Sequence, residues 1–278
     1  MSTEAQALDT ARSDAGTIPA HSPARAAAAR PVSGAAKTFI LMKRELRGYF
    51  STPVAFVFIV IFLLLSGVFT FYMGGFFERE QADLQPFFAF HPWLYLFLIP
   101  AISMRLWAEE RKTGTVELLF TLPVSMAQSV LGKFLAAWAF TGVALVLTFP
   151  MWITVNYLGN PDNGVIFASY IGSFLMAGAY LAIGACVSAM TKNQVIAFVV
   201  SLVVCLAFIL AGFPIVLEFF QGWAPQWLVD SIRSFSFLTH FNSITKGVID
   251  LRDLVFFGSL IACCLFGNAV LLDKTKAD

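Results

Sequence analysis

Charge is scarce in this sequence. Of its 278 residues only 13% are Asp, Glu, Lys or Arg, while 58% are hydrophobic. A soluble domain carries about a quarter charged residues. So little polar surface cannot cover a water-soluble fold, and a bilayer is the solvent that suits such a chain. No long basic tract occurs, which argues against a nucleic-acid partner. Cysteine is sparse too. Cys186, Cys205, Cys263 and Cys264 lie in apolar runs with no CxxC spacing, so neither a disulfide framework nor a zinc site is expected. They read as small packing residues. Catalytic signatures are missing as well. The Gly132-Lys133 pair is followed by Phe134 and lacks the upstream glycine of a phosphate-binding loop. There is no HExxH and no GxSxG, and His21, His91 and His240 are scattered. The expectation is a chain without enzymatic activity, metal or cofactor of its own, whose driving energy comes from another polypeptide.

What is present divides into a tail and a long apolar remainder. Residues 1–36 are rich in Ala, Ser, Pro and Thr and contain no aromatic residue. Such a composition cannot offset the entropy of ordering and predicts a disordered tail. It has no apolar h-region, so it does not read as a secretory signal. Residues 37–278 form the second unit. It opens with an amphipathic helix over 37–52, where Phe39, Ile40, Met42, Leu46 and Phe50 can share one side and Lys43, Arg44, Glu45 and Arg47 fall largely on the other. Such a helix either lies at the headgroup interface or simply extends the first span.

Six segments then approach the roughly 20 apolar residues that a spanning helix needs. They are 54–77, 87–106, 134–155, 165–190, 195–217 and 254–272. An all-α membrane protein with six transmembrane helices is the expected fold class. With an even number of crossings both termini share a side. If that side is the cytoplasm, it holds 14 of the Lys and Arg residues, and only Arg79, Arg233, Lys246 and Arg252 lie opposite. The asymmetry predicts that both termini are cytoplasmic. The central parts of the six segments carry no Asp, Glu, Lys, Arg or His, which disfavours an ion-coupled transporter. Span four repeats small residues (Gly172, Ser173, Ala177, Gly178, Ala182, Gly184, Ala185, Ser188), and span five has Ala197, Ser201 and Cys205 at four-residue intervals. Such stripes let helices approach closely, either as packing within one subunit or as a face that slides.

Two connections are more than linkers. Residues 218–253 mix Trp223, Trp227, Phe235, Phe237 and Phe241 with polar residues and predict short helices that dip into the outer leaflet. Within them Asp250, Arg252 and Asp253 can pair with each other or cap the last span. Residues 109–125, EERKTGTVELLFTLPVS, place charges directly after span two. Gly114 can bend the chain, Val116, Leu118, Leu119 and Leu122 supply an apolar face, and Pro123 ends the helix. This suits either a short surface helix that docks into a groove on a partner or an ordinary amphipathic helix at the membrane interface.

The pattern formed by Glu110, Arg111, Gly114, Thr115, Glu117, Leu118, Leu119 and Pro123 resembles the signature of type-2 ABC exporter permeases. Phe235, Ser236, Gly247, Asp250, Arg252 and Asp253 resemble the matching stretch of the gliding-motility-type subfamily. The resemblance covers residues 37–272. It implies that 109–125 is the coupling helix that contacts a separate ATPase subunit, where ATP and Mg bind. It implies that Lys43, Arg44, Glu45 and Arg47 sit on an elbow helix, and that a re-entrant helical hairpin precedes the last span. The implied partners are the ATPase, a second permease copy in a homodimer, membrane lipids and a large auxiliary membrane protein. The implied function is export driven by ATP hydrolysis; the alternative is a non-transporting scaffold that passes ATPase work to an extracytoplasmic partner.

Overall fold

Backbone polar groups have no water to bond inside hydrocarbon, so a spanning chain must satisfy them within its own elements. The computed structural model describes residues 33–116, 124–222 and 224–275, and their regular structure is helical throughout. In chain order the helices are α1 (Gly34–Phe50), α2 (Pro53–Val68), α3 (Gln85–Ala89), α4 (His91–Ser103), α5 (Arg105–Thr113), α6 (Met126–Val146) and α7 (Phe149–Leu158). They continue with α8 (Asn163–Met190), α9 (Gln194–Leu210), α10 (Pro214–Gln221), α11 (Gln226–Ser234), α12 (Phe237–Ile244) and α13 (Leu251–Thr275). Residues 1–32, and with them most of the expected tail, lie outside the described residues. So do Glu117, Leu118, Leu119, Leu122, Pro123 and Trp223.

Local signals set most helix starts. Pro53 occupies the first turn of α2, where its missing N–H costs nothing. Ser125 and Gln128 form a reciprocal capping box on α6. The Asp162 carboxylate accepts from the N–H groups of Gly164 and Val165 at the start of α8. The Asn193 side-chain oxygen does the same for Val195 and Ile196 at α9. The capping box also corrects an expected boundary, since the third long helix starts at Met126 rather than 134. α1 likewise begins three residues before the expected 37.

Among the described residues, four helical stretches are long and apolar enough to cross a membrane: Pro53–Met73, Met126–Leu158, Asn163–Met190 and Leu251–Lys274. The first includes a π-helical turn over Phe69–Met73 that ends α2, and the second joins α6 to α7. A fifth candidate is broken, because α9 and α10 meet at an angle of 72°. The expected fifth span, 195–217, therefore ends at Leu210, and the chain turns at Gly212 before Pro214 opens α10. The expected second span, 87–106, is also interrupted. It is divided among α3, α4 and α5, and the 13 residues of α4 reach only about 20 Å.

The centre of the bundle is α8. Its small residues are where other helices come closest. A Cβ on Gly184 would lie 1.9 Å from Ser103 Oγ, and one on Gly178 would lie 2.8 Å from the Trp138 ring. Ala182, Ala185 and Ser188 are buried, as are Ala197, Ser201 and Cys205 on α9. The small-residue stripes are thus packing faces within this chain, the first of the two expected readings. Aromatic side chains fill the remaining space. Phe62, Phe87, Phe88, Phe140, Tyr180, Phe237 and Phe257 are all at or below 2% exposure. His91, at the start of α4, is fully buried among Phe62, Phe87 and Phe88, and its Nδ1 lies 2.8 Å from Ser173 Oγ.

Candidate functional site

Two ends of α8 organise the polar chemistry. At its C-terminal end, α5 runs out of the bundle carrying the charges of the sequence pattern. The junction between α4 and α5 at Met104 breaks the helical hydrogen-bond ladder, and Ser188 repairs it. The Ser188 hydroxyl accepts from the N–H groups of Trp107 and Ala108 at 3.2 and 3.0 Å and donates to the Met104 carbonyl at 2.9 Å. Trp107 and Ala108 are thereby held in the core, at 1% and 0% exposure.

The next turn faces three ways. Glu110 points inward, and its Oε1 accepts from Lys133 Nζ at 2.6 Å. Arg111 reaches the end of α8, where its Nη1 donates to the Ala189 carbonyl. A cation there meets the negative end of the α8 dipole. Lys112 and Thr113 are exposed, and Gly114 ends α5 with a φ of +72°, a left-handed conformation that glycine adopts without strain. Gly114 and Thr115 are exposed and Val116 is buried. The expected bend at Gly114 is therefore present. Glu110 and Arg111, expected as polar contacts for a partner, are bonded within the chain to Lys133 and the Ala189 carbonyl.

The third element at this end is α1. Leu41 is its buried residue, whereas Phe39 and Ile40 of the expected apolar side are exposed at 60% and 62%. Lys43, Arg44 and Arg47 are exposed as expected. Glu45 is not on their side. Its Oε2 lies 3.5 Å from Lys133 Nζ, and Arg44 bonds its other oxygen at 2.8 Å. Burial raises the Glu45 pKa, but Lys133 and Arg44 outweigh it and hold the carboxyl below the ordinary range. Close backbone approach makes this possible. Gly132 packs on Leu41, whose Cδ2 would be 2.9 Å from an added Cβ. Lys133 is itself only 4% exposed, and its ammonium also lies 5.3 Å from the centre of the Trp107 ring. Beside this cluster, α1, α2, α4, α5 and α6 enclose a half-open cavity of about 510 Å³ with apolar walls from Val57, Phe58, Ile61, Leu98 and Phe140.

The N-terminal half of α8 supports the other group of expected residues. Ser236 caps α12 by accepting from the Thr239 N–H, and it packs against Gly212 so closely that a Cβ there would lie 2.0 Å from its Oγ. Gly247 has a φ of +87° and lies against Val165. Asp250 caps α13 by accepting from the Arg252 N–H at 3.1 Å. Asp253 does not pair with Arg252, contrary to one of the expected pairings. It is buried and meets His240, with Oδ1 2.6 Å from Nδ1, while the Arg252 guanidinium reaches the Ser234 hydroxyl. The other ring nitrogen of His240 lies 2.9 Å from the Ser234 carbonyl. Phe237 and Phe241 are core residues rather than interfacial anchors; Phe235 and Trp227 are exposed.

Sequence reading missed two residues that organise these ends, Lys133 and His240. Both look unremarkable as isolated polar positions beside apolar runs. The one available signal was that a lysine eight residues into a helix of mean apolar character requires a partner.

These features define a multi-pass helical membrane protein with one charged, internally tied end. Residues 40–266 match the family described as ABC-2 family transporter protein, and the chain belongs to that family. It is a membrane transporter component of a kind that normally works with an ATPase subunit and generally has no catalytic site of its own. No curated protein matches the chain.

Proposed function

We propose that this chain is the permease subunit of an ATP-driven exporter and that the segment beginning at α5 is where a separate ATPase docks. ATP and Mg would bind on that ATPase. The observation that carries the reading is the geometry around Gly114. The Glu110–Lys133 ion pair and the Arg111–Ala189 hydrogen bond tie α5 to the bundle, while Lys112, Thr113, Gly114 and Thr115 face outward. A segment held rigidly behind and open in front can receive a partner and pass its displacement to the spans. Glu117, Leu118, Leu119 and Pro123 would complete that docking helix.

The broken α3–α5 stretch serves as a sixth crossing, with α2, α6–α7, α8, α9 and α13 as the others. Both termini then face the cytoplasm of a bacterial inner membrane, α1 acts as the elbow helix, and α10–α12 form the re-entrant hairpin on the far side. Only a third of the most apolar window of α2 and its π turn is buried within one chain, which suits a homodimer that covers the rest or lipid that does so. The gliding-motility-type assignment adds an auxiliary membrane protein, for which exposed Phe219, Trp227 and Phe235 at the hairpin supply apolar surface. The tail is assigned no role.

The two conformations of such a permease must differ in affinity for the ATPase, since only differential binding can shift their balance. The test is co-purification with the ATPase after Thr115→Arg, and after Glu110→Ala together with Arg111→Ala. A tenfold or greater loss of captured ATPase is expected for both. Unchanged capture with unchanged ATP-dependent transport in vesicles would count against the assignment.

A further inference from the structure

We propose that Lys133 is the positioning residue through which movement of α5 is passed to the elbow helix α1. The inference rests on the permease reading above and names the contact that would connect its two moving parts. Glu110 sits on α5, Glu45 on α1 and Lys133 on α6, so one ammonium holds carboxylates from two different elements. Its two bonds are unequal. Nζ is 2.6 Å from Glu110 and 3.5 Å from Glu45, so the tight bond is to the docking segment and the looser one is to the elbow. Lysine suits this task because its ammonium has three donors on a flexible stem and can shift between acceptors without leaving either.

No direct Glu45–Glu110 attraction can replace this link, because both are carboxylates. Take the ammonium away and the two repel each other in a poorly screened setting. The other polar contact of Glu45 is with Arg44 on its own helix, and that of Arg111 is with the end of α8. Among the described residues, Lys133 is thus the ionic connection between α5 and α1. Its burial and its place over Trp107 fix where the connection lies.

The experiment uses the full chain in complex with its ATPase. The native cysteines are replaced by serine, and spin labels are placed in two pairs, Phe39 with Val270 and Lys112 with Val270. Electron–electron distance measurements are made without nucleotide and after trapping with ATP and vanadate. In the parent, both distances are expected to shift on trapping. In Lys133→Met the Lys112 distance still shifts and the Phe39 shift is lost. Lys133→Arg, which keeps the charge and both bonds, restores it. Glu45→Gln, which leaves the Glu110 arm intact, weakens the Phe39 shift alone. A Phe39 shift that survives in Lys133→Met would overturn the clamp while leaving the permease reading standing. If the parent shows no shift at either pair, the permease reading falls and the clamp with it. Should Lys133→Met fail to fold, the triple variant Glu45→Leu, Glu110→Leu and Lys133→Met removes the same link without leaving an unpaired charge, and a retained Phe39 shift there would overturn the proposal equally.

Discussion

The two ends of α8 solve the same problem differently. Each buries an ionisable group that carries its partner on another helix. At one end Lys133 serves two carboxylates on α1 and α5. At the other, His240 lies between the Asp253 carboxylate and the Ser234 carbonyl, with Phe256 stacked on its ring at 4.1 Å. The His240 end is short-range. Ser234, His240 and Asp253 fall within 20 residues of one another, so the contact pins α11 and α12 to the helix that follows them. Lys133 joins Glu45, 88 positions away, and Glu110, 23 positions away. A local pin stabilises one piece of structure. A contact among three separated elements connects parts that can move independently, and that is why the Lys133 end is the better candidate for transmission.

Replacing Lys133 by Met should have the largest effect. It leaves two carboxylates without their shared cation in a buried setting, and breaking a buried pair in this way costs about 3–5 kcal/mol. Thermal unfolding in detergent measures it. If Glu45, Glu110 and Lys133 are all replaced by leucine or methionine, stability should largely return, because a packed apolar set needs no compensating charge. A triple variant as unstable as the single one would mean that shape, not charge, governs this end.

His240→Phe should cost less, about 1–3 kcal/mol, because it strands the Asp253 carboxylate and the Ser234 carbonyl without their partner while keeping an aromatic ring against Phe256. Its effect should be confined to α11, α12 and the start of α13 and read as faster proteolysis or hydrogen exchange over 226–253. Loss of protection spreading to α1 or α5 would erase the distinction between the two ends. Gly247→Ala follows, at about 1–2 kcal/mol, because it forces a side chain into a left-handed conformation against Val165.

The smallest effect concerns pH. The Glu45 pKa is lower in the folded protein than its ordinary value of 4.5. Its ion pairing therefore adds stability above that value, and the contribution disappears as pH falls through the lowered folded value. A disulfide-trapping rate between cysteines at Leu41 and Gly132 should change on acidification through that range, and Glu45→Gln should flatten the change. A response identical in Glu45→Gln would assign the pH dependence to another group.

Much of the architecture was legible because hydrocarbon imposes a simple rule. The apolar runs over 54–77, 165–190 and 195–217 predict α2, α8 and α9, since the lack of charge is a local property, and Asp162 and Asn193 then set where α8 and α9 begin. The small residues of α8 were legible as packing faces for the same reason. What escaped was where helices stop being straight. The 72° turn before Pro214 and the division of 87–106 at Phe90 and Met104 lie inside apolar runs, where hydropathy is silent about direction. Ser188, far along the chain, makes the break at Met104 tolerable by bonding the freed backbone groups.

By itself the sequence determined that this is a helical membrane chain, roughly where four of its long helices lie, and that charges gather after the second apolar segment. These follow from composition and spacing, because solvation acts on each residue separately. Only the tertiary structure decided which of those charges face outward. Glu110, Arg111 and Glu45 resemble their exposed neighbours in one dimension, and they turn inward because Lys133 and the Ala189 carbonyl are within reach. Pairing is a property of distance, and distance between remote positions exists only in the folded chain.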